Sequence, residues 1–98
     1  MPKAYVLVEM TVNDPASFEP YKELAPLAVA AYGGRYVARG GESELLEGIG
    51  TPNRVTVLEF PDMDRARAWY SSPEYGEAKA ARAGAATARF ILTEGLDG

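Results

Sequence analysis

The chain has 98 residues, with ten basic and fourteen acidic side chains for a net charge of −4, and it contains neither Cys nor His. Those two missing residue types exclude disulfides, thiolate chemistry, the Ser/His/Asp triad, histidine-ligated haem and nearly every zinc site. The negative charge has the wrong sign for non-specific nucleic-acid binding. We therefore expect one domain over residues 1–98, with no cofactor, metal or nucleic-acid partner.

The apolar content is weighted toward small side chains, because Leu, Ile, Val and Phe number 20 while Ala alone numbers 16. A chain of this size buries a modest share of its surface, so burial against a partner subunit is expected. The longest apolar run, Leu24 to Tyr32, contains Pro26 and is too short to cross a bilayer. Glu9 cuts the first apolar stretch shorter than a signal-peptide core. We expect a cytoplasmic protein without a membrane partner.

The first half of the chain predicts a strand followed by a helix. Alternation over Ala4–Val12 gives a strand with one apolar face and one mixed face that carries Tyr5 and Leu7. Asp14-Pro15 then forms an N-cap followed by a proline at the first helical position, and Gly33-Gly34 ends the helix. Prolines at positions 20 and 26 predict a short opening turn followed by a kinked main helix.

The second half predicts three strands and a broken helix. Arg35–Arg39 is a short strand that Glu44–Glu47 extends, and Arg54–Phe60 is a central strand because neither of its faces is polar. Two further cap signals start helical segments, and a last strand follows. The first helical segment is capped by Asp62 and runs through Tyr70. The second begins at Ser72-Pro73 and ends near Arg82, and the last strand covers Thr87–Glu94.

The resulting β-α-β-β-α-β order is typical of an α+β, ferredoxin-like fold with a four-stranded antiparallel sheet and an interrupted second helix. We place the first and third strands at the centre, parallel to each other, with the helices on one face. The other face then lacks cover. If Tyr5 and Leu7 lie there, the second layer comes from another copy, which predicts a homodimer through the sheet face.

Two segments carry a family resemblance: Gly33 to Gly41 (GGRYVARGG), and Leu58 to Arg82 with its LEFPDM and AWYSSPEY runs. Over about Ala4 to Gly95 the chain resembles a bacterial domain-of-unknown-function family, number 1330, in the dimeric α/β-barrel superfamily. The superfamily's members include cofactor-independent monooxygenases, muconolactone isomerases and haem-degrading enzymes. The resemblance implies a homodimer whose two sheets form a barrel. The lack of His puts the haem-using and His-dependent mechanisms out of reach.

Glu59 is the best candidate for a catalytic residue. It stands near the end of an otherwise apolar strand, and we place Glu9 at the same end of the sheet. A partly buried carboxylate there would serve as a general base or as an acceptor for a ligand. The alternative is an ion pair with Arg35, Arg39, Arg54 or Arg82, or simple exposure. Strand alternation leaves the direction of the Glu59 side chain open.

The remaining ligand-binding candidates are aromatic and hydroxyl groups at the break between the two helical segments, a tyrosine on the buried stripe of the first helix, and two arginines suited to an anionic substrate. They are Tyr21, Arg39, Trp69, Ser72, Tyr75 and Arg82. The alternative roles are a helix cap for Ser72, core packing for the aromatic residues and surface charge for the arginines. We expect Glu59, Trp69, Tyr75 and Tyr21 to converge on a cleft, with Arg39 or Arg82 at its mouth.

Two functions remain open. The first is a homodimer that binds a small organic molecule, aromatic or carboxylated, between helices and sheet. Cofactor-free monooxygenation or isomerisation fits the superfamily, with Glu59 or a tyrosine handling the proton, and whether the protein is an enzyme stays open. The second is a non-catalytic dimeric module with a filled interior. A cavity bordered by Glu59, Trp69 and Tyr75 favours the first.

Overall fold

The computed structural model describes residues 2–97. Four strands and three helices follow one another in a βαββαβ order with the second helix in two parts. They are β1 (Ala4–Val12), α1 (Pro15–Ala31), β2 (Arg35–Arg39), β3 (Arg54–Phe60), α2 (Met63–Tyr70), α3 (Pro73–Ala81) and β4 (Ala86–Glu94).

The strands form one sheet in the order β2-β3-β1-β4, in which every neighbouring pair is antiparallel. The predicted α+β, ferredoxin-like fold with an antiparallel sheet is confirmed. The prediction that the two central strands are parallel is wrong. Helix α1 returns the chain so that β2 runs parallel to β1, and the direct β2–β3 connection then reverses the direction again. Strand β3 therefore lies antiparallel to β1.

Register assigns each strand residue to one of two faces of the sheet. On the helix face, Val6 lies opposite Leu58 and Leu92. On the other face, which we call the open face, Leu7 lies opposite Val57 and Ile91. Leu7 and Ile91 are 40% and 41% exposed, whereas Val6 and Leu58 are both 3% exposed. The core therefore lies between the helix face and the three helices.

Helix α1 begins at its predicted cap and runs without interruption for 17 residues. The Asp14 carboxylate accepts hydrogen bonds from the Ser17 amide at 3.3 Å and the Ser17 hydroxyl at 2.8 Å. The predicted separate opening turn is wrong, because both internal prolines lie inside the single helix. Burial of Phe18 and Val29 holds one face of the helix against the rest of the molecule, which offsets the backbone donors that the prolines lack.

The break between α2 and α3 is confirmed and is built around Ser72. The Ser72 hydroxyl accepts a hydrogen bond from the Tyr75 amide at 3.0 Å and donates one to the Trp69 carbonyl at 2.6 Å. This buried hydroxyl therefore caps α3 and satisfies the end of α2 at the same time. The chain direction changes there, and Trp69 and Tyr75 come together from two different helices.

The segment between β2 and β3 is an exposed loop, so the predicted extension of the strand through Glu44–Glu47 is wrong. Its Leu46 is 88% exposed. Within the described part of the chain the segment pairs with no strand, because the ladder between β2 and β3 reaches Arg39 and stops there. Among residues 2–97, no helix is both long enough and apolar enough to cross a bilayer.

Candidate ligand-binding site

Trp69 stands at the centre of an aromatic cluster on the helix face. It is 2% exposed, and its ring centroid lies 4.5 Å from that of Tyr75, 5.1 Å from that of Phe60 and 6.4 Å from that of Phe90. Tilted aromatic pairs at these distances are favourable beyond their buried area. The cluster joins α2 and α3 to β3 and β4 through one side chain, so Trp69 is a core residue as well as a lining residue.

A cleft of about 390 Å³, which we call the large cleft, opens between α2, the end of α3 and the helix face of β4. Its volume lies within the range of small-molecule sites. Most of its lining is apolar or aromatic. The lining residues are Val6, Ala66, Arg67, Trp69, Tyr70, Ser71, Arg82, Ala88, Phe90 and Leu92.

Arg82 supplies a cation to the large cleft. Its guanidinium carbon lies 5.3 Å from the Phe90 ring centroid and 5.7 Å from the Tyr21 ring centroid. Among residues 2–97, no carboxylate lies within ion-pair distance of Arg82. Its Nε and the Trp69 Nε1 are both buried and have no hydrogen-bond partner in that part of the chain. Two residues of the cleft therefore carry donors that lack an acceptor.

A second and much smaller space, about 40 Å³, lies between α1 and the β2–β3 side of the sheet. We call it the small cavity. Its lining includes Tyr21, Arg39, Trp69 and Tyr75. A space of this size holds one or a few waters and no drug-sized ligand.

The Tyr21 and Tyr75 hydroxyls lie 2.9 Å apart beside the small cavity. One hydroxyl donates to the other, so a single O–H of the pair remains available as a donor. Burial raises the pKa of both phenols, and for Tyr75 the hydrogen bond with Tyr21 and the nearby charge of Arg82 oppose that rise. Both phenols therefore stay protonated at neutral pH and act as hydrogen-bonding groups.

Glu59 lies on the open face, away from this cluster, because it sits opposite Tyr5 and Arg35 in the sheet register. The Arg35 Nε donates to its Oε1 at 2.8 Å, and the Lys3 Nζ lies 3.5 Å from the same oxygen. The Arg35 hydrogen bond holds the pKa of Glu59 below its usual range. The predicted convergence of Glu59 with Trp69, Tyr75 and Tyr21 is wrong, and the ion pair with Arg35 that we named as the alternative is present.

Glu9 is also separated from Glu59. Glu9 lies opposite Val55, whereas Glu59 lies opposite Tyr5 at the far end of the ladder. The Glu9 carboxylate lies 3.4 Å from the Arg89 Nε. The expectation that both carboxylates share one end of the sheet is wrong, because it assumed parallel central strands. Antiparallel strands place equivalent chain positions at opposite ends.

The structure divides the other predicted residues between two spaces. Trp69 and Arg82 line the large cleft; Tyr21, Arg39, Trp69 and Tyr75 line the small cavity; and Ser72 is a cap. The sequence interpretation did not select Phe90 or Arg67 as site residues. Phe90 shares the alternating pattern of β4 with Leu92, and that pattern is a signal that could have placed it on the helix face.

No group of three His, Cys, Asp or Glu side chains within residues 2–97 is arranged to hold a metal ion. Asp62 and Asp64, the acidic residues at the start of α2, contact a backbone amide and an arginine. The Asp62 carboxylate accepts from the Arg65 amide at 2.7 Å, and Asp64 pairs with Arg67 at 3.4 Å. The absence of a metal and of a cofactor from the functioning protein stays a prediction.

Residues 3–96 match the family described as domain of unknown function (DUF1330), and the chain belongs to that family. The match covers nearly the whole sequence, as the resemblance in the Gly33–Gly41 and Leu58–Arg82 segments predicted. No curated protein sequence matches the chain.

Solved structures share the fold at low sequence identity. A protein of unknown function from Rhodopseudomonas palustris, RPA0582, superposes with a TM-score of 0.77 at 19% identity, over 99% of this chain and 85% of that one. The cofactor-independent oxygenase SnoaB from Streptomyces nogalater gives 0.64 at 20% identity, over 100% and 97%. A dimeric ferredoxin-like protein of unknown function from Bacteroides fragilis gives 0.59 at 17% identity, over 94% and 95%.

Proposed function

We propose that this member of the DUF1330 family is a cytoplasmic homodimer that binds a small organic molecule, aromatic or carboxylated, in the large cleft. The observation that carries this proposal is the cleft itself. It encloses about 390 Å³ and is lined by Trp69, Tyr70 and Phe90 together with Arg82. A largely apolar concave site with a few convergent polar groups is the usual form of a small-molecule site.

The open face supports the homodimer. It exposes Leu7 and Ile91, which lie opposite each other in the β1–β4 ladder. Helices cover the opposite side of the sheet, so a second layer over the open face has to come from outside the chain. The dimeric description of the Bacteroides fragilis neighbour favours a second copy in that place. Packing two such faces by two-fold symmetry would bury these aliphatic side chains.

Cofactor-free oxygenation or isomerisation is the chemistry we propose for the ligand, supported by the description of SnoaB as a cofactor-independent oxygenase. Among residues 2–97, Tyr70 is the tyrosine that lines the large cleft and could move a proton for a ligand bound there. The Tyr21 and Tyr75 hydroxyls, 2.9 Å apart, lie beside the small cavity instead. Glu59 would reach such a ligand poorly, since it lies on the open face in an ion pair with Arg35.

A non-catalytic dimeric module is the second candidate. The observation in its favour is the filled space around Tyr75, which is 0% exposed and leaves about 40 Å³ beside it. In that account Trp69 and Tyr75 are core residues alone. The two candidates differ in whether the large cleft takes up a ligand, so binding decides between them.

Filling the cleft tests the proposal. Ala88 lines the cleft from β4, and Ala88→Phe would occupy part of its volume. Ala83 is exposed and lies outside the lining, so Ala83→Phe is the matched control. We expect calorimetric titration with a panel of benzoates, naphthoates and quinones to find a ligand. Ala88→Phe should weaken that ligand at least about tenfold, since it displaces a well-fitting group, and Ala83→Phe should not.

Both variants must keep the circular dichroism and unfolding temperature of the parent for this comparison to stand. Failure of the whole panel to bind, or equal weakening by the two variants, contradicts the placement of the ligand in the large cleft. In the first case the non-catalytic module becomes the better account.

A further inference from the structure

We infer that the ligand of the large cleft is an aromatic carboxylate whose carboxylate pairs with Arg82. This inference rests on the proposed function and specifies which chemical group the cleft recognises. It draws on the charge of the lining, on the two unpaired donors and on the arrangement of the rings.

The charge of the lining favours an anion. Of the residues described, 2–97, two arginines and no Asp or Glu line the large cleft. Arg67 already has a partner, because its Nη1 lies 3.4 Å from the Asp64 carboxylate on the outside of α2. Arg82 has no carboxylate within ion-pair distance among residues 2–97. A partly buried guanidinium without a counter-charge is costly, and an anionic ligand would lower that cost.

The unpaired donors favour an oxygen acceptor. The Arg82 Nε and the Trp69 Nε1 are buried and lack partners within residues 2–97. Buried N–H groups of native proteins nearly always have an acceptor. A carboxylate offers two oxygens with several lone pairs and matches the planar fork of a guanidinium. Since both nitrogens lie behind the cleft surface, we expect binding to draw the Arg82 side chain toward the ligand.

The rings favour a flat, aromatic body on the ligand. The Tyr70 centroid lies 5.8 Å from the centroids of both Trp69 and Phe90, so three rings that contact one another are part of the cleft lining. Aromatic side chains bind aromatic ligands by offset or edge contacts. Arg82 is held against the Phe90 ring at 5.3 Å, so the cation and the aromatic walls adjoin. A ring bearing a carboxylate spans both features.

The test compares 2-naphthoate with 2-naphthamide by isothermal titration calorimetry on the full chain. The two probes share one ring system and differ in charge. We expect naphthoate to bind the parent protein at least about tenfold more tightly than naphthamide, as charge-assisted hydrogen bonds exceed neutral ones. Arg82→Gln should remove that preference, whereas Arg82→Lys should keep part of it. Arg65→Gln, which removes a charge from α2 outside the cleft lining, should leave it unchanged.

The outcomes separate this inference from the proposal beneath it. Equal binding of both probes, or a naphthoate preference that survives Arg82→Gln, overturns the carboxylate inference and leaves the ligand site standing. Binding of neither probe to the parent overturns the inference, and the proposed function falls with it if the wider panel also fails. If Arg82→Gln is unfolded by circular dichroism, Arg82→Lys and the salt dependence of naphthoate binding decide.

Discussion

The two sides of the sheet differ in how their charged side chains are paired. On the open face, carboxylates and cations pair with each other, Glu59 with Arg35 at 2.8 Å and Glu9 with Arg89 at 3.4 Å. On the helix face, Arg82 has no such partner among residues 2–97. A face whose charges are already neutralised is suited to burial against another protein surface. A cation left unpaired in a cleft is suited to binding an anion.

The apolar residues of the two faces differ as well. The open face presents aliphatic side chains that remain two-fifths exposed, such as Leu7 and Ile91, while the helix face buries aromatic residues such as Trp69 and Tyr75. Exposed aliphatic groups in one layer gain most by acquiring a partner layer. These differences favour the proposed assembly through the open face and the proposed ligand binding on the helix face, and each of the following predictions tests that division.

The largest expected effect is loss of the dimer in Leu7→Asp, which places a carboxylate in the middle of the open face. Sedimentation equilibrium of the parent at micromolar concentration should report twice the chain mass. An uncompensated buried charge costs several kcal/mol, roughly 3–5, which corresponds to a dissociation constant weaker by two orders of magnitude or more. Leu27→Asp is the control, because Leu27 is 70% exposed on α1, in the helical layer.

A parent protein that is a folded monomer at micromolar concentration would remove assembly from the open face altogether. Equal disruption of the dimer by Leu7→Asp and Leu27→Asp would contradict the placement of the interface on the open face.

The next effect concerns the helix face. Trp69→Ala should lower the free energy of unfolding by about 3–5 kcal/mol, since it empties the centre of the aromatic cluster. Tyr70→Ala should cost less than half as much, because Tyr70 is 40% exposed. Urea unfolding at one fixed protein concentration measures both values. Similar losses in the two variants would mean that Trp69 does not hold the helix face together.

A smaller effect is expected at the helix break that frames the cleft. Ser72→Ala removes both the cap of α3 and the hydrogen bond to the Trp69 carbonyl. The expected loss is about 1–2 kcal/mol of unfolding free energy. The neighbouring Ser71 is exposed, so Ser71→Ala should change stability by less than about 0.5 kcal/mol. Thermal unfolding of the two variants side by side checks this difference, and equal losses would contradict the capping role.

The smallest effect is a dependence of stability on pH through the open face. The Arg35 guanidinium holds the pKa of Glu59 below its ordinary value of 4.5. The stabilisation is therefore fully present above the ordinary pKa and is lost as the pH falls below 4.5 and through the lowered value. The free energy of unfolding, measured by urea titration, should therefore fall less steeply between pH 6 and pH 3 in Arg35→Gln than in the parent. An unchanged slope would contradict the ion pair.

Much of the fold follows from local signals in the sequence. The bounds of β1 and β3 and the caps at Asp14, Asp62 and Ser72 were predicted because alternation and cap-then-proline patterns act within a few residues. The continuity of α1 through its two prolines was not predicted, because tertiary packing overrides a local helix breaker. The loop over Glu44–Glu47 was also missed, since an apolar pair predicts a strand without showing a partner strand.

The position of Glu59 depends on information that alternation does not contain. Both faces of β3 are apolar in sequence, through Val55 and Val57 on one side and Leu58 and Phe60 on the other, so the pattern left the direction of the carboxylate undetermined. The direction is fixed by the register with β1, which is a long-range property. For the same reason the sequence did not predict the large cleft, which joins β4 to α2 and has only Trp69 and Arg82 of the predicted site residues in its lining.

Two neighbouring residues of β4 test the division of the sheet most directly. Leu92 lines the large cleft, and Ile91 lies on the open face opposite Leu7. In methyl-labelled protein observed by NMR, 2-naphthoate should shift the Leu92 methyl signals and leave those of Ile91 in place. Dilution from dimer to monomer should shift Ile91 and leave Leu92. If the ligand moves Ile91 and spares Leu92, the ligand binds on the open face and the account is contradicted.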